Sequence, residues 1–258
     1  MNTAPLTVIE RLRGGANDRP PADAAASAVR LRATLADGVA RAVGDHHRDE
    51  PLIVRAGQLR RIGANAGTAS ILGRARGALV SVLVRLLSVD AVADPWGDAL
   101  AAWRASSPDD PLLEALAHLD DDERARLRAD VRAHAATLGH ALVGLDPRWL
   151  PRSGVRARVT VGPSRVELHD TIDLMIGVNG TRASICLLDV TTAALSADDD
   201  RVARYHALVQ TLRTSRAPRR SAIFSSATGE LRVLDVDHDL LARAARDVLV
   251  LLGHRVAP

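Results

Sequence analysis

The hydrophobic period of this chain changes at Asp146-Pro147, from the three-and-four spacing of helices to the alternation of strands. Ahead of that break, residues 22–43 place Ala, Val and Leu at helical intervals, and residues 69–88 repeat Ile71, Leu72, Leu79, Val82, Leu83 and Leu86 at threes and fours. Short helices are expected over 96–105 and 111–119. The run from Asp120 to Glu123 suits the positive end of a helix dipole and opens the longest helix, over 120–143. Beyond the break, strands are expected over 155–161 and 165–176, with a turn at Gly162-Pro163. Val178-Asn179-Gly180 signals a hairpin, and the apolar run 183–190 fits a strand buried on both faces. Asp198 to Asp200 then open a helix to 213, strands follow over 221–226 and 231–236, and an amphipathic helix closes the chain over 239–252. This β-β-β-α-β-β-α order predicts one α/β domain with helical elements from an α-helical front half packed on it. The expected division is a flexible arm over 1–21, a helical region over 22–146 packed on the core, and an α/β core over 147–258. No internal repeat is present.

Composition removes several chemistries. None of the 34 basic residues is lysine, so no phosphate-binding lysine, Schiff-base lysine or ammonium acid exists here, and arginine cannot share its proton in their place. With almost nothing to titrate above neutrality, a small arginine excess inflates the sequence pI of 10.2. The net charge of +3 is the better guide, and alone it is weak evidence for a nucleic-acid partner. The single cysteine, Cys186, excludes an internal disulfide and an iron–sulfur cluster. Five aromatic residues (Trp96, Trp103, Trp149, Tyr205, Phe224) are too few for a base-stacking platform. The start lacks the apolar core of a signal peptide, and LVSVLVRLL and VLVLLG are too short to span a bilayer. A cytoplasmic protein with no membrane partner is expected.

Two aspartates sit where alternation would place apolar residues: Asp173 within Thr171-Ile172-Asp173-Leu174-Met175-Ile176, and Asp189 near the end of Ile185-Cys186-Leu187-Leu188-Asp189-Val190. Charge inside a strand is costly unless it is paired or binds a cation, so two on neighbouring strands suggest a divalent-metal site. A three-residue loop over 179–181 would set Asp173 opposite Leu187 and Asp189 two positions away on the same face. A two-residue loop would put them on opposite faces. The alternative is that Asp189 caps the following turn.

The string HDTIDLMIG, a turn, ICLLDVTT and the helix RVARYHALVQTLR resemble the RecB-type PD-(D/E)XK nuclease superfamily. In that family a strand aspartate precedes an (Asp/Glu)-X-Lys strand and a helix with a Gln-X-X-X-Tyr motif. Arg76-Gly77-Ala78-Leu79-Val80-Ser81 resembles its helix segment in which glycine precedes histidine by four residues, so the likeness spans roughly 50–252. It implies a restriction-endonuclease-like core, a central mixed β-sheet flanked by helices, with Asp173 and Asp189 as the metal-binding carboxylates and Tyr205 as the motif tyrosine. The catalytic positions are then Asp173, Asp189 and Thr191. Three positions depart from the pattern: Ser81 stands for the metal-binding histidine, Thr191 for the catalytic lysine and Arg201 for the glutamine. Losing the amine removes electrostatic stabilisation worth on the order of a hundredfold in rate. Two carboxylates and water would hold magnesium or manganese only weakly. Arg182 or Arg201 could replace the cation, and His206 or His169 the lost ligand; the bland reading of these histidines is hydrogen-bonded or surface residues. His46-His47 falls in a polar loop.

Arginine is unevenly placed. Residues 51–89 hold six arginines and no acid, residues 147–166 five, and residues 201–229 six. If these blocks converge on the carboxylates they form a phosphate-contacting groove, with Arg74, Arg76, Arg201, Arg204, Tyr205, Arg219 and Arg220 as the expected nucleic-acid contacts. If they do not, they are ordinary solvated faces. Three functions are open at this point. One is a pseudonuclease, a non-catalytic or impaired DNA-binding protein or subunit of repair, recombination or defence, with a helicase or nuclease partner. The others are a working magnesium- or manganese-dependent nuclease completed from elsewhere, and a protein-interaction module that no longer binds DNA.

Overall fold

The computed structural model describes residues 7–14, 25–43, 51–60, 62, 70–162, 166–178, 180 and 183–256. The expectations for His46-His47, Pro163, Asn179 and Arg182 lie outside the described residues.

In chain order the elements are α1 (Val8–Arg13), α2 (Ala25–Val43), β1 (Leu52–Arg55), α3 (Ala56–Leu59), α4 (Ile71–Leu87), α5 (Pro95–Ser106), α6 (Pro111–Ala117) and α7 (Asp121–Ala141). After a 3-10 turn at Pro147–Trp149 come β2 (Arg152–Val161), β3 (Val166–Ile176), β4 (Cys186–Thr191), α8 (Asp199–Thr214), β5 (Arg220–Ser225), β6 (Leu231–Asp235) and α9 (His238–Val256). The fold is α/β, with a mixed six-stranded sheet between two layers of helix and a helical first half. No helix among the described residues is long and apolar enough to cross a membrane.

Local chemistry explains the helix starts. The Asp120 side chain accepts from Glu123 N at 2.7 Å, and Glu123 closes the reciprocal bond, so the acidic run is a capping box as well as a dipole partner. Asp110 accepts from Leu112 N at 3.0 Å with Pro111 at the first helical position, and Ser70 accepts from Gly73 N at 3.1 Å.

Two front-half expectations change. Part of the expected arm is a docked helix: Thr7 and Glu10 form a capping box at α1, and Ile9 and Leu12 are fully buried. Arg220 Nη1 donates to Arg11 O at 2.7 Å, and Arg11 Nη2 donates to Leu231 O at 3.2 Å. The front half also contains a strand. β1 pairs in parallel with β3, Leu52 against Val166 through Arg55 against His169. Four residues are too few to show a period, so only the tertiary pairing identifies them.

Residues of α1 and α4 to α7 share one core cluster with Leu174, Ile176, Cys186, Leu188, Ala222 and Phe224. Residues of α2, α8 and α9 share another with Val54, Val159, Val166 and Leu168. The helical front half is therefore divided between both faces of the sheet.

The topology creates one special place. β2 covers one edge of β3 from Val166 to Met175. A strand has two hydrogen-bonding edges, so β1 and β4 must share the other, β1 against 166–169 and β4 against 174–176. Between them, residues 170–173 of β3 have no ladder partner on that edge among the described residues. Alternation also slips here: Ile172 and Met175, three apart, pack together with Leu187, while Leu174 and Ile176 face the opposite layer. Across β2 from this slip, Gly154 has φ +59°.

Candidate functional site

The gap on β3 holds a row of buried ionisable groups. Asp173 is 9% exposed. Its Oδ1 accepts from Ser81 Oγ of α4 at 2.8 Å, and its Oδ2 accepts from Val190 N of β4 at 2.8 Å. The second bond replaces a backbone ladder bond where β3 and β4 part, which is a structural reason for a carboxyl at this position. The observed register, Leu174 with Leu188 and Met175 with Leu187, differs by two residues from the expected one. Extended by one step, it sets Asp173 against Asp189, close enough for each carboxyl to act on the other's charge. The connection is longer than a tight hairpin because the ladder stops at Ile176 and Cys186. Gly177 turns out of it at φ +91°, where a Cβ would lie 2.4 Å from Ser184 O.

Asp189 faces two cations. His206 Nε2 of α8 stands 3.7 Å from Asp189 Oδ1, and Arg60 Nη2 stands 3.9 Å from Oδ2. The other imidazole nitrogen, His206 Nδ1, lies 2.8 and 2.9 Å from the two oxygens of Asp170. Arg60 Nε is 2.9 Å from Asp199 Oδ1, and Asp199 Oδ2 accepts from Ser196 N and Oγ at 2.7 and 2.9 Å. Asp170, His206 and Asp199 are all buried.

Electrostatics sorts these groups into charged and neutral. Burial, and then the negative charge of Asp189, push the Asp173 carboxyl up to about 7, against the bonds from Ser81 and Val190. For Asp189 burial works upward too, but His206 and then Arg60 outweigh it and hold the carboxyl below its ordinary value. Burial opposes the charge on His206, yet Asp170 and then Asp189 raise its pKa well above 6.5. Along the row, His206 is held toward its charged form, Asp189 toward its anion, and Asp173 toward its neutral acid.

Each expected site residue can now be placed. Asp173 and Asp189 meet, and Ser81 touches Asp173 from α4. Thr191 is buried at the end of β4, its Oγ1 accepting from Ala193 N at 3.3 Å and its carbonyl accepting from Ser226 N and Oγ at 2.9 Å each. It supplies turn geometry and no cation. Of the candidate histidines, His206 reaches the carboxylates, whereas His169 Nε2 lies 2.9 Å from Glu167 Oε2. His206 Nε2 has no hydrogen-bond partner among the described residues and stands 3.7 Å from Asp189 Oδ1. Among the described residues no group of three or more His, Cys, Asp or Glu is placed to hold a metal ion. Ser81, where the resemblance has a histidine ligand, brings a hydroxyl that donates to Asp173, and His206 Nδ1 is engaged by Asp170.

The expected nucleic-acid contacts are largely engaged within the protein. Tyr205 is fully buried, its hydroxyl facing Val54 O at 2.8 Å and His169 O at 3.0 Å, so it ties β1 to β3 and cannot reach a phosphate. Arg219 is 5% exposed, too buried to contact a polyanion. Arg76 pairs with Asp130 at 3.1 Å, Arg201 with Asp198 at 2.6 Å, Arg204 with Asp247 at 2.9 Å and Arg220 with Asp235 at 2.6 Å. Arg74 is exposed. These arginines do not converge on the carboxylates because sequence neighbours on a helix point to different faces.

Sequence reasoning missed Asp170, Arg60 and Asp199 as members of the network. Asp170 had a signal: like Asp173, it is an acid inside an apolar strand. Also missed is a cleft of about 470 Å³ lined by Arg55, Arg156, Arg158, His169, Asp170 and Thr171. Its signal was the arginine alternation of β2.

No protein family matches the chain, and no curated protein matches it. A solved structure described as "Crystal structure of SSO0001" is similar, with a TM-score of 0.34 and 10% identity, over 88% of this chain and 86% of that one. A likeness this weak carries no argument about function.

Proposed function

We propose that this chain is a PD-(D/E)XK-like nuclease-fold protein whose catalytic centre has become an internal ion network, and that it acts as a non-catalytic DNA-binding protein or subunit. The reading places it in a cytoplasmic setting of repair, recombination or defence, beside a helicase or nuclease partner that supplies the chemistry. One observation carries it: Asp173 and Asp189 stand side by side on neighbouring strands, as two metal-binding carboxylates would, and the cations facing them belong to the protein. His206 and Arg60 neutralise Asp189, while Ser81 and Val190 N–H satisfy Asp173. A buried carboxylate pair needs compensating charge from some source, and a fixed imidazolium and guanidinium remove the need for a divalent ion. Thr191, where the resemblance puts a lysine, offers no charge to a transition state.

The deciding experiment is a nuclease assay in manganese on wild type, Asp189→Ala and Thr191→Lys, beside calorimetric manganese titration of wild type and Asp173→Ala. No cleavage and negligible heats are expected for wild type. Cleavage by wild type that Asp189→Ala abolishes would overturn the reading. DNA binding itself is expected to weaken steeply with salt.

A further inference from the structure

Register and charge single out the cleft beside β3. Arg55 of β1 and Arg158 of β2 are both cross-strand partners of His169, one on each side, and Arg156 pairs with Thr171 one position along. Cross-strand partners share a face, and adjacent strands lie about 4.8 Å apart. The three guanidiniums therefore project from one small area of sheet into a single cleft of about 470 Å³. Like charges at this spacing repel and destabilise a sheet unless an anion offsets them.

The protein offsets only part of this charge. Arg158 pairs with Glu167, whose other oxygen is 2.9 Å from His169 Nε2. Arg55 and Arg156 are exposed and have no carboxylate partner among the described residues. The other acid of the wall, Asp170, turns both oxygens to His206 Nδ1, so an imidazolium shields its charge from the cleft. The lining thus keeps an excess of positive charge that the fold does not use. Guanidinium forks match phosphate oxygens in pairs, and the space admits one phosphate group with its sugar.

We infer that this cleft is a phosphate-binding site, formed by Arg55, Arg156 and Arg158, that takes the phosphate of a nucleotide either free or within a nucleic-acid strand. The inference goes beyond the proposed function in naming these residues, and depends on it only for the strand as source. Its position is distinct from the carboxylate pair: Asp170 and His206 stand between the two.

Fluorescence anisotropy with a labelled single-stranded oligonucleotide, competed by adenosine monophosphate and by inorganic phosphate, tests it. The proteins are wild type, Arg55→Gln/Arg156→Gln, and Arg104→Gln on the exposed face of α5 as a control. The double variant is expected to bind the oligonucleotide about tenfold or more weakly and with a shallower salt dependence, while Arg104→Gln binds as wild type. Competition by adenosine monophosphate at concentrations where inorganic phosphate is ineffective would identify a free nucleotide as a ligand. Competition by neither would assign the site to a strand. Equal oligonucleotide affinity for double variant and wild type would overturn the cleft and leave DNA binding standing. Wild type that binds adenosine monophosphate through these arginines but no oligonucleotide would keep the cleft and overturn the DNA-binding reading. Wild type that binds no phosphate ligand would overturn both. Circular dichroism on each variant confirms the fold, and Arg156→Glu gives a second, independent charge reversal with the same expected loss.

Discussion

His206 sits between two carboxylates: its Nδ1 lies 2.8 Å from Asp170 Oδ1, and its Nε2 lies 3.7 Å from Asp189 Oδ1. A buried cation so placed is held by the anions, and the anions are tolerable only because of it.

Removing that cation should be among the most damaging single changes. His206→Ala leaves Asp170 without its partner in the core, and a loss of about 3–5 kcal/mol is expected in urea denaturation. Asp170→Asn added to His206→Ala should recover part of it, since the orphaned charge is then gone. A loss under about 1 kcal/mol for His206→Ala would show that the pair is not charged.

Stability should fall as pH rises across the neutral range. Asp173 titrates at about 7 in the folded state because of burial and then Asp189, against an ordinary value of 3.8. Between those values the folded protein keeps a proton that the unfolded chain has released, so stability declines through this window and levels off above it. His206 has the same sign. Its pKa is raised by Asp170 and then Asp189 against burial, so its contribution is full below 6.5 and lost as pH rises through the folded value. Asp189 has the opposite sign and contributes above 3.8, losing its effect in acid. Denaturation midpoints should therefore decline from about pH 5 to about pH 8, and Asp173→Asn should make the decline shallower. Parallel declines in the two proteins would contradict this account of Asp173.

Tyr205→Phe separates structure from binding. Its one hydroxyl proton serves Val54 O and His169 O where β1 joins β3, and losing it should cost about 1–2 kcal/mol. Because Tyr205 is fully buried, oligonucleotide affinity of the folded variant should equal that of wild type. A selective loss of affinity at unchanged stability would return Tyr205 to the binding surface.

Gly177→Ala tests the turn that sets the register. The backbone is at φ +91°, and the added methyl would meet Ser184 O at 2.4 Å. Both must shift, so a destabilisation of about 1–3 kcal/mol is expected from thermal denaturation. An unchanged melting temperature would mean that the connection from β3 to β4 rearranges freely.

Much of the architecture was legible because it rests on local signals. Leu79 and Leu83 repeat at helical spacing, Asp120 to Glu123 cap α7, and the alternation of β2 survives in its burial pattern. β1 was not legible, since Leu52–Arg55 becomes a strand only by pairing with Val166–His169. The buried faces of α1 were also missed, although Thr7 and Glu10 offered a capping box. At the site, Asp173 and Asp189 stood out as charges in apolar strands and do meet. The arginines chosen by proximity in sequence instead found acids on neighbouring elements, such as Asp130 and Asp247.

The sequence by itself determined that the chain alternates from helix to sheet at Asp146-Pro147 and that two strand aspartates need compensation, because periodicity and the cost of buried charge are local properties. Only the tertiary structure decided what compensates them. His206, Arg60 and Ser81 come from three separate elements, and they meet Asp170, Asp189 and Asp173 where β1 and β4 divide one edge of β3. Charge pairing over such separations depends on distances of a few ångströms in a low-dielectric interior, and packing alone sets those distances.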